Sequence, residues 1–152
     1  MNQAALHDRL DIVDVCTRMC WHTDKREWDQ LRTEVFADKV QLDYTSLNGG
    51  EPAELIADEV IGAWRALLSG LASTQHLLTN HLVRLYGDTA VATADFQATH
   101  WQPNARGGPH WTLGGHYRIS LHRTLRGWRI DGLTMTTDWA KGNRQIMEGT
   151  TR

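Results

Sequence analysis

The chain of 152 residues is predicted to fold as an α+β domain in which helices cover the concave face of a curved sheet, leaving a cone with a pocket. Three observations predict it. The first half repeats apolar residues at three- and four-residue steps, and the second half switches to a period of two. Gly87-Asp88 and Arg126-Gly127 tolerate positive φ, so tight hairpins can join the long extended runs into an antiparallel sheet.

Taken in order, Leu10, Val13, Cys16, Met19 or Cys20, and Asp24 fall on one face of a helix from about residue 5 to about residue 23, and that face is expected to be buried. After a polar break, Trp28, Leu31 and Val35 repeat the spacing over a shorter helix, and Val40 to Tyr44 alternates like a strand. Asp58 is a candidate N-cap for a third helix with Ile61, Trp64, Leu67, Leu68 and Leu71 as its apolar stripe and Gly70 close to its end. The extended runs are His76 to Tyr86, Ala90 to Trp101, Trp111 to Arg123, and Gly127 to about Trp139. Asn48 to Pro52 and Gln102 to Pro109 read as loops, and Met147 to Arg152 as a frayed tail. With no linker and no repeat, a single domain spanning 1–152 is expected, its ordered core covering about 5–142.

Composition narrows the function. Lys+Arg 16 against Asp+Glu 18, with 41% hydrophobic and 22% charged residues, describes a chain too apolar and too nearly neutral to be disordered. No basic cluster offers phosphate neutralisation, so no nucleic-acid partner is expected. No apolar run approaches the roughly 20 residues of a membrane span, and residues 1–10 lack the core of a secretory signal, so the expected location is cytoplasmic, without a membrane partner. Cys16 and Cys20, four apart on one helix face, read as core thiols. No HExxH, HxH or CxxC spacing marks a metal site. No GxGxxG, P-loop or GxSxG marks a nucleotide cofactor or a serine hydrolase, and no cofactor is expected.

The candidate site residues come from burial and strand phase. Asp24 ends an otherwise apolar stripe, where an ionised carboxylate needs a buried partner; backbone amides at the helix end could equally supply one. His100 shares its strand phase with Ala94, Phe96 and Ala98, which turns the imidazole inward. His76 shares phase with Leu78 and Leu82 and aims at the same volume, although Asn80 interrupts the pattern. A single inward histidine is usually a satisfied core residue, but two beside an acid can form an acid–base set near neutral pH. Tyr44, at the end of the first strand, and Tyr117, in phase with Leu113, Ile119 and Leu121, can hydrogen-bond a carbonyl or simply pack. His116 and His122 share an outer face with Arg118 and Ser120, His22 lies near the first helix's end and His110 in a loop. The seven tryptophans pack the core or rim the pocket.

The segments Cys20-Trp21-His22-Thr23-Asp24-Lys25-Arg26-Glu27-Trp28-Asp29-Gln30-Leu31, Leu42-Asp43-Tyr44, Ser73-Thr74-Gln75-His76 and Gly127-Trp128-Arg129-Ile130 resemble the SnoaL-like group of the NTF2-like superfamily. Their order covers nearly the whole chain, and the D-x-x-x-W-D-x-L and T-Q-H elements resemble the branch that includes scytalone dehydratase. The resemblance implies an NTF2-like (cystatin-like) cone, its curved antiparallel or mixed sheet packed against three N-terminal helices. It also implies that Asp24, Tyr44, His76 and His100 match active-site groups. The match is incomplete: Thr23 stands where that enzyme has a second tyrosine, and Gly115 and Tyr117 fall near its substrate-contacting serine and asparagine, which implies a different substrate.

The expected activity is a cofactor-free, dehydratase-like lyase or isomerase acting on a small hydroxylated carbonyl or ring compound. In that reading His100, oriented by Asp24, removes a proton alpha to the carbonyl, while Tyr44 and His76 hydrogen-bond its oxygen. Tyr117, Trp28, Trp64, Phe96 and Trp101 are expected to line an apolar pocket for an apolar or aromatic substrate. Two alternatives share the fold: a non-catalytic ligand binder resembling dioxygenase small subunits, and a polyketide cyclase-like protein with Asp24 as the base of an aldol step. A homo-oligomer, dimer or trimer, formed through the outer sheet face is expected.

Overall fold

The computed structural model describes the backbone of residues 1–151 and the side chains of residues 1–148. Helix α1 runs over Gln3–Lys25, opened by the Asn2 side chain accepting from the Ala5 N–H at 2.8 Å and closed by Arg26 in the left-handed region at φ 62°. Its buried stripe is Ile12, Val15, Cys16, Met19 and Cys20, continued by His22 and Thr23. Leu10, expected in that stripe, is 60% exposed. It lies two residues from Ile12, roughly 200° around the helix, and so points away from the sheet. Burial pushes the Cys16 thiol up to about 12 and the Cys20 thiol higher still, so both stay neutral among core side chains.

The short helix α2 (Trp28–Gln30) continues directly into a π-helical turn, Leu31–Val35, whose Leu31 and Val35 are fully buried. Strand β1 is Phe36–Asp43, and the one-turn α3 (Thr45–Asn48) follows it. A four-residue strand β2 (Ala53–Ile56) then pairs antiparallel with β1. β2 carries no alternation in its exposure, so its sequence lacked the period that marks the other strands. Helix α4 spans Ala57–Leu68. Asp58 is not its N-cap; it sits inside the first turn, where it complements the helix dipole and pairs with Arg32 at 3.3 Å.

Four long strands complete the sheet: β3 (Ser73–Tyr86), β4 (Thr89–Trp101), β5 (His110–Thr124) and β6 (Gly127–Gly142). Gly87 at φ 67° and Gly127 at φ 102° make the two tight turns. The order is β2-β1-β6-β5-β4-β3, antiparallel except that β1 runs parallel to β6, so the sheet is mixed. Along β4 every second residue from Ala90 to His100 is buried, the alternation anticipated for this strand.

β3 departs from its expected phase. Asn80 is left-handed at φ 57° and the register slips between Thr79 and Leu82, a bulge that reverses which face the later residues occupy. Leu82 is therefore 70% exposed, while His81, Val83 and Leu85 turn toward α1. His76 and Leu78 precede the bulge and keep their inward phase. At the far end a 3₁₀ helix, Arg144–Thr151, folds back over the sheet, with Ile146 buried. Met147 and Glu148 thus belong to structure and not to a frayed tail; the side chains of residues 149–152 lie outside the described residues. Among the described residues no helix is long and apolar enough to cross a membrane.

Candidate active site

α1, α4, the end of β1 and the inner faces of β3 to β6 enclose a cavity of about 430 Å³ lined mostly by apolar side chains, among them Met19, Trp64, Phe96, Leu113 and Met135. His76, His100, Tyr44 and Tyr117 all reach this lining. The last turn of α1 carries Asp24 to the start of β3, where three donors hold its carboxylate. The His76 backbone N–H donates to Oδ2 at 2.8 Å, the Thr74 hydroxyl donates to Oδ1 at 3.0 Å, and His76 Nδ1 lies 2.7 Å from Oδ1. A carboxylate only accepts, so Nδ1 carries the hydrogen and Nε2 is the nitrogen left for a ligand. The pair is enclosed, with side-chain exposures of 14% and 12%.

Arg26 buttresses this arrangement from behind. Its guanidinium donates to the Thr74 hydroxyl at 2.9 Å, to the Thr23 carbonyl and to the Leu68 carbonyl, tying the ends of α1 and α4 to β3. With its oxygen accepting from Arg26, the Thr74 hydroxyl is free to donate to Asp24.

His100 is held differently. Its Nδ1 donates to the Trp111 carbonyl at 3.1 Å and its ring stacks on the Trp111 indole at a centroid distance of 5.3 Å. Burial pushes its pKa down from 6.5 to about 4, against the Trp111 hydrogen bond, which favours the charged form. The ring is therefore neutral at physiological pH, with an unprotonated Nε2. The His76 and His100 rings meet edge to face at 6.1 Å. Opposite them, burial raises the Tyr44 and Tyr117 phenols well above the ordinary value. Both stay protonated, their hydroxyls hydrogen-bond to each other so that one O–H is left for a ligand, and Tyr117 stacks on Phe96 at 4.5 Å. The wall thus offers two imidazole Nε2 edges and a hydrogen-bonded pair of phenols around an apolar space, a set suited to moving a proton and stabilising an oxyanion.

A SnoaL-like domain model matches residues 4–134. The chain belongs to the SnoaL-like family. Among solved structures, this SnoaL-like domain superposes on the Kfla4162 protein of Kribbella flavida with a TM-score of 0.89 and 27% identity, over 95% of this chain and 99% of that one. A protein of Novosphingobium aromaticivorans provisionally named a scytalone dehydratase matches at TM-score 0.81 and 16% identity, over 95% and 93% of the two chains. A hexachlorocyclohexane dehydrochlorinase, LinA type 2, matches at TM-score 0.76 and 16% identity, over 91% and 90%. The fold is accordingly NTF2-like. No curated protein matches the chain.

Three expectations about the site need correcting. Asp24 meets His76, not His100, because β3 and not β4 starts beside the end of α1; His100 finds the Trp111 carbonyl instead. Trp101 does not line the cavity: it follows His100 on the same strand, so it faces outward, is 42% exposed and stacks on His110. Trp28 packs against the core at the start of α2, and it too is outside the lining. Of the predicted pocket residues, Trp64, Phe96 and Tyr117 are in place.

Trp111 was missed, although the phase that turns Leu113 and Tyr117 inward applies to it as well. Arg26 and Thr74 were missed because their roles rest on contacts across 48 residues of chain, which no local pattern encodes. Three of the other histidines are paired with carboxylates: His22 sits between Glu27 and Glu34, His116 meets Asp138 and His122 meets Asp131. Among the described residues, His81 Nε2 is buried without a hydrogen-bond partner. Gly115 explains one departure from the scytalone dehydratase pattern. A Cβ there would lie 1.9 Å from the Thr136 carbonyl oxygen, so the β5–β6 irregularity at this point admits no side chain.

Proposed function

We propose that this SnoaL-like domain is a cofactor-independent, dehydratase-like lyase or isomerase acting on a small hydroxylated carbonyl or ring compound. The observation that carries the reading is the Asp24–His76 pair, 2.7 Å apart and set into the wall of an apolar cavity. Asp24 fixes the tautomer and stabilises the imidazolium, and His76 Nε2 removes the proton alpha to the carbonyl. The electron pair of the broken C–H bond moves into the enolate, whose oxygen accepts from Tyr44 or Tyr117. The imidazolium then returns its proton to the departing hydroxide, which leaves as water, or to another carbon in an isomerisation. His100, neutral and held by Trp111, accepts a hydrogen bond from a substrate hydroxyl and orients it.

This assigns to His76 the base role that the sequence reading gives to His100 oriented by Asp24. Asp24 itself is a weaker candidate for the base, since its oxygens already accept from three donors and it is not part of the cavity lining. The dehydratase and dehydrochlorinase names among its structural relatives support elimination chemistry as the class to test first. The experiment is a screen of cyclic hydroxy-ketones without added cofactor, followed by His76→Gln on any substrate found. Turnover by the wild type and its loss in the variant are expected; binding without conversion across the screen would favour a ligand-binding role.

A further inference from the structure

The closing 3₁₀ helix brings a cation to a cavity that is otherwise mostly apolar. Ile146 is buried and pins this helix, and Arg144, two residues earlier, reaches the cavity lining. Its guanidinium lies over the Trp111 indole, 5.3 Å from the ring centroid. Trp111 is the residue whose carbonyl and ring also hold His100, so the cation is fixed against the wall that positions the site's second imidazole.

A cation–π contact occupies no conventional hydrogen-bond acceptor, so the guanidinium N–H donors remain for another group. Among the described residues, the contact that Arg144 makes is this one with Trp111. Glu148 reaches the same lining but is already engaged in an interaction of its own. A guanidinium stays charged at any physiological pH, and its fork matches the two oxygens of a carboxylate. Arg144 is itself exposed, at the rim of the cavity, so water screens such a pairing and its worth is that of a surface contact.

We propose that Arg144 is a specificity-determining residue that binds a carboxylate, so that the substrate of this site is a ring compound bearing a carboxylate group. The ring fills the space between Trp64 and Phe96, the carboxylate lies against Arg144, and a carbon on the ring faces His76. The inference rests on the reading of the cavity as a substrate pocket, and it is tested by binding alone, so that it can fail separately from the catalytic reading.

The probes are 2-naphthoate and its neutral isostere 2-naphthamide, titrated calorimetrically at neutral pH into wild type, Arg144→Gln, Arg144→Lys and His76→Gln. Wild type is expected to bind the acid about threefold to fivefold more tightly than the amide, the size of one solvent-exposed ion pair. Arg144→Gln should abolish that preference while leaving the amide's affinity unchanged, which also shows that the pocket is intact. Arg144→Lys should restore part of it, because it keeps the charge and loses the fork. His76→Gln should retain the preference whether or not it abolishes turnover. Equal affinity for both probes, a preference that survives in Arg144→Gln, or binding of neither probe would overturn the proposal.

Discussion

Two histidine–aspartate pairs of the same length lie on opposite faces of one sheet. Inside, His76 Nδ1 is 2.7 Å from Asp24; outside, His122 Nδ1 is 2.7 Å from Asp131. The inner side chains are 14% and 12% exposed and the outer ones 39% and 34%. Asp24 also takes a backbone N–H and the Thr74 hydroxyl, while among the described residues Asp131 takes only the Ser120 hydroxyl in addition to its histidine. The difference teaches that the pair by itself does not make a site. Water screens the outer pair to the small worth of surface ion pairs. The inner one combines burial, a fully held carboxylate and an imidazole edge turned into a mostly apolar cavity.

The sharpest way to break this comparison is to damage both pairs alike. Asp24→Asn offers an amide N–H to His76 Nδ1, inverts the tautomer preference and should lower kcat/KM on an identified substrate by about 10³-fold, in the range of a lost general base. Asp131→Asn should leave it within about twofold. Steady-state kinetics on the two variants decides the matter, and equal losses would dissolve the distinction.

A second difference lies in pH. His100 has its pKa depressed from 6.5 to about 4 by burial, so between those values the unfolded chain takes up a proton that the folded one refuses. That contribution is fully present above pH 6.5, is lost as pH falls toward 4, and amounts to about 3 kcal/mol over the window. The stability gap between wild type and His100→Gln, from urea unfolding, should therefore narrow as pH drops through this range. A gap independent of pH would mean that the folded imidazole titrates normally.

Smaller effects sharpen the picture. Thr74→Val removes one donor to Asp24 and strands a guanidinium N–H of Arg26; a loss of about 1–2 kcal/mol, roughly tenfold in kcat/KM, is expected. Ser120→Ala, which makes the matching cut on the outer face, should change neither kcat/KM nor, beyond about 0.5 kcal/mol, the unfolding free energy.

Much of this was legible in the sequence, for identifiable reasons. The long strands carry a strict alternation, and on β4 that alternation alone turns Ala98 and His100 inward. The tight turns could be read because Gly87 and Gly127 supply a positive φ. Strand phase failed at Asn80, where a left-handed residue inserts a bulge that changes the face of Leu82, and at β2, which is too short to show a period. Which histidine Asp24 would meet depends on where β3 begins relative to the end of α1, a tertiary relation that periodicity does not contain. The chain from Met147 reads as a tail because Met147 finds its apolar surroundings only once the sheet has formed.

Proton transfer at the inner pair can be observed directly. A cyclic hydroxy-ketone incubated in D₂O without added cofactor, and followed by proton NMR, reports exchange or elimination at the carbon alpha to the carbonyl. The account predicts that the wild type and Asp131→Asn catalyse it and that Asp24→Asn and His76→Gln do not. Catalysis that persists in His76→Gln would contradict it.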